Sequence, residues 1–158
     1  MTNVEILYTN ILKDLKSNIK TAQIKTAQIK AAMSVNSQLI LLYWEIGKTI
    51  LEQQENKGWG AKVIENLSKD LRTSFPNMKG LSERNLKYMR KFAQNYPDFE
   101  FVQQVVAQLP WGHNIFLLDK VNDENQRQWY IEKAIENGWS RNVMVVQIES
   151  DLYSRQAI

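Results

Sequence analysis

Residues 82–96 read SERNLKYMRKFAQNY, directly after FPNMKGL at 75–81. The pair reads as a turn followed by a basic helix. Ser82 stands before a periodic segment and just after Gly80, the place of a helix N-cap. Leu86, Met89, Phe92 and Ala93 recur at helical spacing and are expected to face a core. Arg84, Lys87, Arg90 and Lys91 fall largely off that stripe, with Tyr88 among them. Such a face suits an acidic partner, nucleic acid first among them, and equally suits the solvated side of an ordinary helix.

Upstream, residues 61–74 give a second helix, with Val63, Ile64, Leu67 and Leu71 inward and Lys62, Lys69 and Arg72 outward. Phe75-Pro76 ends it, because the residue before proline disfavours helix. Gly58 and Gly60 around Trp59 separate it from what precedes. Residues 3 to about 54 contain no proline and no glycine before Gly47, and read as one long helix. Its expected faces are Ile6, Leu7, Ile11, Leu12, Leu15 and Ile19, then Leu39, Leu42, Tyr43, Ile46 and Ile50. Asn36 and Glu45, in or beside the second face, are expected to find buried partners. TAQIK occurs at 21–25 and again at 26–30. Five residues turn a helix by roughly 500°, so Ile24 and Ile29 do not both lie centrally on one stripe. A rod of that length is expected to pair with another helix, in this chain or in a second copy.

Downstream, Tyr96-Pro97 ends the basic helix. Residues 99–109, FEFVQQVVAQL, suit a short helix or a strand, being rich in β-branched and aromatic residues. Pro110 stands at the first turn of a helix carrying Ile115, Phe116, Leu117 and Leu118. Asp123 opens another helix that closes at Gly138, and Ser140 opens the last. GLSERNLKYM (80–89) and GWSRNVMVVQ (138–147) share a plan of glycine, apolar residue, serine cap, then Arg and Asn in the first turn. First turns present free N–H groups, so both suit phosphates or base edges, as in helix-turn-helix modules, and both also suit ordinary capping.

Composition narrows the classes. Apolar residues make up 44% of the 158, with five Trp, six Tyr and five Phe, enough for a packed core in one domain or in two small, intimately packed ones. No cysteine is present, which excludes disulfides and thiolate metal sites and suits a reducing cytoplasm. No apolar run approaches a membrane span, and residues 1–18 are too polar for a signal peptide. Charge is uneven: residues 61–95 carry eight Lys/Arg against three Asp/Glu, residues 96–136 three against seven. His113 is the only histidine, so a zinc site of the usual kind is not expected. It reads as a buried or capping residue, or as a base beside Asp119 or Glu124. Trp59, Trp111, Trp129 and Trp139 flank turns and read as core anchors, with base stacking the alternative for Trp59 and Trp139.

The succession VN…LLYWEIGKTI, WGAKVIENLSKDL, FPNMKGLSERNLKYMRKFAQNYP, QLPWGHN and WY…A…NGWSRNVM…QI resembles the N-terminal domain of the YhcG family over roughly residues 10–155. In that family of bacterial proteins a helical N-terminal domain precedes a PD-(D/E)XK nuclease-like domain. The duplicated TAQIK departs from the family pattern, which carries one copy. The nuclease motif needs an Asp and a Glu-x-Lys on adjacent strands to hold Mg²⁺. Here Glu55-Asn56-Lys57 is a Glu-x-Lys, but it lies at a helix end before a glycine-rich turn and is assigned no role. The nuclease half is expected to be absent from this chain, as a fragment or a stand-alone version.

The expectation is therefore an all-α single domain over 1–158. It has a long helix over 1–56 and about five or six shorter helices over 60–158 with helix-turn-helix-like units, or a winged-helix variant if 99–109 is strand. It is expected to be non-enzymatic, without a cofactor, cytoplasmic and not membrane-bound. It would bind DNA beside a nuclease domain in cis or trans, or serve as a protein-interaction module, a homo-oligomer through its first helix. Lys62, Lys69 and Arg72 would contact phosphates. Ser82, Arg84, Asn85, Lys87, Tyr88, Arg90 and Lys91 would form the docking helix, and Ser140, Arg141 and Asn142 a second contact.

Overall fold

The computed structural model describes residues 2–28 and 35–156. Among them the chain forms only helices and turns: α1 (Asn3–Gln28), α2 (Val35–Lys57), α3 (Ala61–Ser74), α4 (Glu83–Asn95), α5 (Phe99–Gln104), a 3₁₀ turn (Val106–Gln108), α6 (Trp111–Lys120), α7 (Glu124–Asn137), α8 (Arg141–Glu149) and α9 (Leu152–Gln156). The fold is all-α, as the periodicity requires. No strand forms at 99–109, because Asp98 caps a helix there by accepting from the Glu100 and Phe101 N–H groups. The winged-helix alternative has no wing in the described residues.

Cα packing divides the chain into two compact units, residues 1–94 and 95–158. In the first, α1 is the longest helix, but it does not run on to residue 54. It packs against α2. Ala22 and Gln23 line a cleft with Val35, Gln38, Leu39 and Leu42, and Asn18 lines another with Trp44, Glu45 and Lys48, so the two helices are antiparallel. Ile11, Leu15 and Ile19 of α1 are buried, as are Ile40, Leu42, Tyr43, Trp44, Ile46 and Ile50 of α2. Ile6 and Ile24 remain exposed, and Leu39 is half-buried. Glu45, expected to need a buried partner, lies on the exposed side of α2. The second TAQIK copy falls largely outside the described residues, Ile29 included.

Ile64, Leu67, Ser68 and Leu71 of α3 and Leu86, Met89, Phe92 and Ala93 of α4 complete this core, while Val63 is only half-buried. Tyr8 ties α1 to α3 by donating to the Asp70 carboxylate at 2.7 Å. Burial, that bond and the Asp70 charge together push the Tyr8 phenol well above its ordinary range. α2 crosses α4 at Gly47, where a methyl group would overlap the Met89 carbonyl. Alanine normally favours a helix interior over glycine by about 1 kcal/mol. Here the clash is with backbone, so the sign reverses.

The second unit buries Leu117 and Leu118 of α6, Tyr130, Ile131 and Ala134 of α7, Met144 of α8 and Leu152 of α9. Asp123 caps α7 by accepting from the Gln126 N–H at 2.9 Å, and Gly138 closes it in the left-handed region at φ +63°. Inside the unit Arg127 is buried, donating to the Val121 carbonyl at 3.1 Å with its guanidinium 5.1 Å from the Tyr96 ring centroid. Burial pushes the Tyr96 phenol up to about 12, against a smaller downward pull from Arg127.

Two outcomes follow. Gly47→Ala lowers stability by about 1–3 kcal/mol in urea melts, the cost of overpacking, where an unhindered site would gain. Because the folded Tyr96 pKa lies above the unfolded value of 10, its stabilising contribution is intact below pH 10 and is lost as pH rises from 10 towards 12. Tyr96→Phe therefore removes on the order of 1 kcal/mol from the fall in stability between pH 9 and pH 11, read by melts at those two pH values.

Candidate nucleic-acid interface

The basic helix is held by its turn. Ser82 is the N-cap of α4: its Oγ accepts from the Asn85 N–H at 3.1 Å and its carbonyl from the Leu86 N–H at 2.9 Å. Gly80 precedes it at φ +89°, where an added methyl would also overlap the Tyr43 hydroxyl. The Asn85 side-chain amide donates back to the Gly80 carbonyl at 2.7 Å. Ser68, buried on α3, donates to the Leu81 carbonyl at 2.7 Å. These bonds fix the path from α3 into α4. They also engage the Ser82 and Asn85 side chains in holding the turn.

On α4, Arg84, Lys87, Tyr88 and Lys91 lie three, four and seven residues apart and share one face. The Arg84 guanidinium sits 5.0 Å from the Tyr88 ring centroid. Lys87 pairs with Glu83 at 3.1 Å, one turn earlier. Arg90 points away from this face and donates to the Gln54 side chain of α2 at 3.3 Å. On α3, Lys62 and Lys69 both reach Glu65 at 3.6 Å, and Arg72 donates to the Ser68 carbonyl at 3.3 Å. Exposed pairs of this kind contribute about 0.5 kcal/mol or less, so a phosphate can displace them. Arg72, Arg84 and Lys79 have no carboxylate within ion-pair distance among the described residues. Lys79 was not foreseen. It counts among the eight Lys/Arg of residues 61–95 but stands in the turn before Gly80, off the helices that carry the expected contacts.

Ser140, Arg141 and Asn142 belong to the second unit. Ser140 caps α8, accepting from the Val143 N–H at 3.2 Å. Arg141 lies against the ring of Phe116, 5.9 Å from its centroid, and Asn142 is exposed. The expected echo is real as local structure: each copy has a glycine at positive φ followed by a serine cap.

The remaining candidates resolve into structural parts. His113 is buried, and its Nε2 donates to the Trp139 carbonyl at 2.8 Å, closing the α7–α8 turn onto α6 rather than pairing with Asp119 or Glu124. Trp59 is buried against Tyr8, with ring centroids 5.8 Å apart, and is a core anchor. Glu55 is exposed near the end of α2, and the side chains of Asn56 and Lys57 lie outside the described residues. No group of three or more His, Cys, Asp or Glu able to hold a metal occurs among the described residues. Nor is any described helix long and apolar enough to cross a membrane.

Charge follows the structural division. Residues 1–94 carry fifteen Lys/Arg against eight Asp/Glu, a net +7, and residues 95–158 carry five against nine, a net −4. Since Arg127 is one of those five and is buried, the outer surface of the second unit is more acidic still.

These features define an all-α protein of two compact units, the first presenting a basic helix. The sequence model of the DUF1016 N-terminal domain matches residues 18–155, and the chain belongs to that family, the YhcG family of the sequence comparison. No curated protein and no solved structure matches the chain.

The bonds above separate structural from displayed residues. Asn85→Ala is expected to lower stability by about 1 kcal/mol through loss of the Gly80 bond. Arg84→Ala is expected to change it by less than about 0.5 kcal/mol. Urea melts of the two variants beside wild type check the distinction.

Proposed function

We propose that this chain is a non-catalytic DNA-binding domain that works beside a PD-(D/E)XK nuclease domain, in cis or in trans. The observation that carries the reading is the face of α4 on which Arg84, Lys87 and Lys91 stand together, with Lys79 in the turn before it and Lys62, Lys69 and Arg72 on α3. Of these cations, Lys62, Lys69 and Lys87 are held in exposed pairs that cost little to break, and Arg72, Lys79 and Arg84 have no carboxylate within ion-pair distance among the described residues. Membership of the DUF1016 family is consistent with a nuclease partner. Duplex DNA is the polyanion such a face suits, because phosphates recur at fixed spacing along it.

Fluorescence anisotropy with a 20-base-pair duplex at about 50 and 200 mM salt tests the reading. If about five phosphates are neutralised, log affinity falls with log salt at a slope near −4 to −5. Arg84→Ala with Lys87→Ala weakens binding and flattens the slope by about two. A salt-independent response, or a double variant that binds like wild type, contradicts it.

A second reading, self-association, is favoured by the opposite net charges of the two units and by Val4, Ile6 and Ile24 exposed on α1. It requires a mass that rises with concentration and no retention of nucleic acid.

A further inference from the structure

We propose that Arg84 reads guanine in the major groove of the bound duplex and that Tyr88 is the residue that positions it. The proposal rests on the DNA-binding reading and adds a base preference to it.

Three observations carry it. Arg84 is exposed at the second residue of α4, within the first turn, the part of a recognition helix that reaches base edges. Its guanidinium carbon lies over the Tyr88 ring, 5.0 Å from the centroid and one turn on, and has no carboxylate within ion-pair distance among the described residues. A guanidinium held over a ring keeps its planar fork of N–H donors, which matches the O6 and N7 acceptors of guanine.

The neighbours are otherwise engaged. Asn85, the residue type that pairs with adenine, donates its amide to Gly80. The Ser82 hydroxyl oxygen accepts from the Asn85 N–H in the cap. Glu83, which would compete for the guanidinium, is paired with Lys87 at 3.1 Å. Arg84 is thus the first-turn side chain fitted to discriminate bases, while Lys87 acts as a point charge suited to phosphate.

The test begins with duplexes selected from a randomised pool by the full chain. Each is then compared with versions in which single guanines are replaced by 7-deazaguanine, which lacks the N7 acceptor. Wild type is expected to lose about tenfold in affinity at one guanine. Arg84→Ala, which removes the donors altogether, binds the guanine and 7-deazaguanine duplexes alike. Tyr88→Phe retains the discrimination and Tyr88→Leu loses most of it, whereas Lys87→Ala weakens every duplex by the same factor. Wild-type binding with no guanine sensitivity, or an Arg84→Ala variant that still discriminates, overturns the assignment while leaving DNA binding intact. Failure of wild type to bind any duplex overturns the DNA-binding reading and this assignment with it.

Discussion

In the first unit α2 crosses α4 at Gly47, close enough to exclude any side chain there. There the Met89 carbonyl occupies space that any side chain would need. Leu86, Met89, Phe92 and Ala93 are buried, which fixes the rotation of α4 about its axis. Once that rotation is set, Arg84, Lys87, Tyr88 and Lys91 have no choice of face. The height of the helix is set at the other end by Ser68 on the Leu81 carbonyl and Asn85 on the Gly80 carbonyl. The basic face is therefore held by packing and by buried polar bonds, not by its charges. Charges on it are accordingly open to change without unfolding, and that makes the face usable for binding.

Electrostatics and architecture divide the chain at nearly the same place. The first unit is strongly basic and the second acidic, with a boundary at residues 94 and 95 that the charge count alone places at the end of α4. A net charge near +3 for the whole chain conceals this. A polyanion would meet a favourable field on one unit and an unfavourable one on the other, so steering acts on orientation as well as on encounter. The acidic unit keeps one cation inside: Arg127, stacked on Tyr96 and bound to a backbone carbonyl, serves its core and adds nothing to the outer field.

Much of this was legible in the sequence because the signals were local. The α4 stripe, the Ser82, Asp123 and Ser140 caps and the Gly138 stop each depend on a few adjacent residues, and each stands where it was expected. What was not legible depended on distant partners. The antiparallel pairing of α1 and α2 leaves no mark in periodicity, since no proline or glycine separates the two apolar faces. Glu45 was placed wrongly because the six-residue apolar run directly before it, 39–44, hid which side was buried. For 99–109 the β-branched residues balanced the helix signal, and the Asp98 cap decided it. The engagement of Asn85 with Gly80 and of Arg90 with Gln54 is tertiary, so charge patterning gave the site as a list of cations without saying which were displayed.

If the displayed face of α4 and the basic side of α3 meet duplex DNA as proposed, a 20-base-pair duplex titrated into the ¹⁵N-labelled full chain at low salt shifts amides concentrated in residues 79–91 and in α3, with α7 nearly silent. Changes centred on the second unit, or no change in a folded chain, would contradict it.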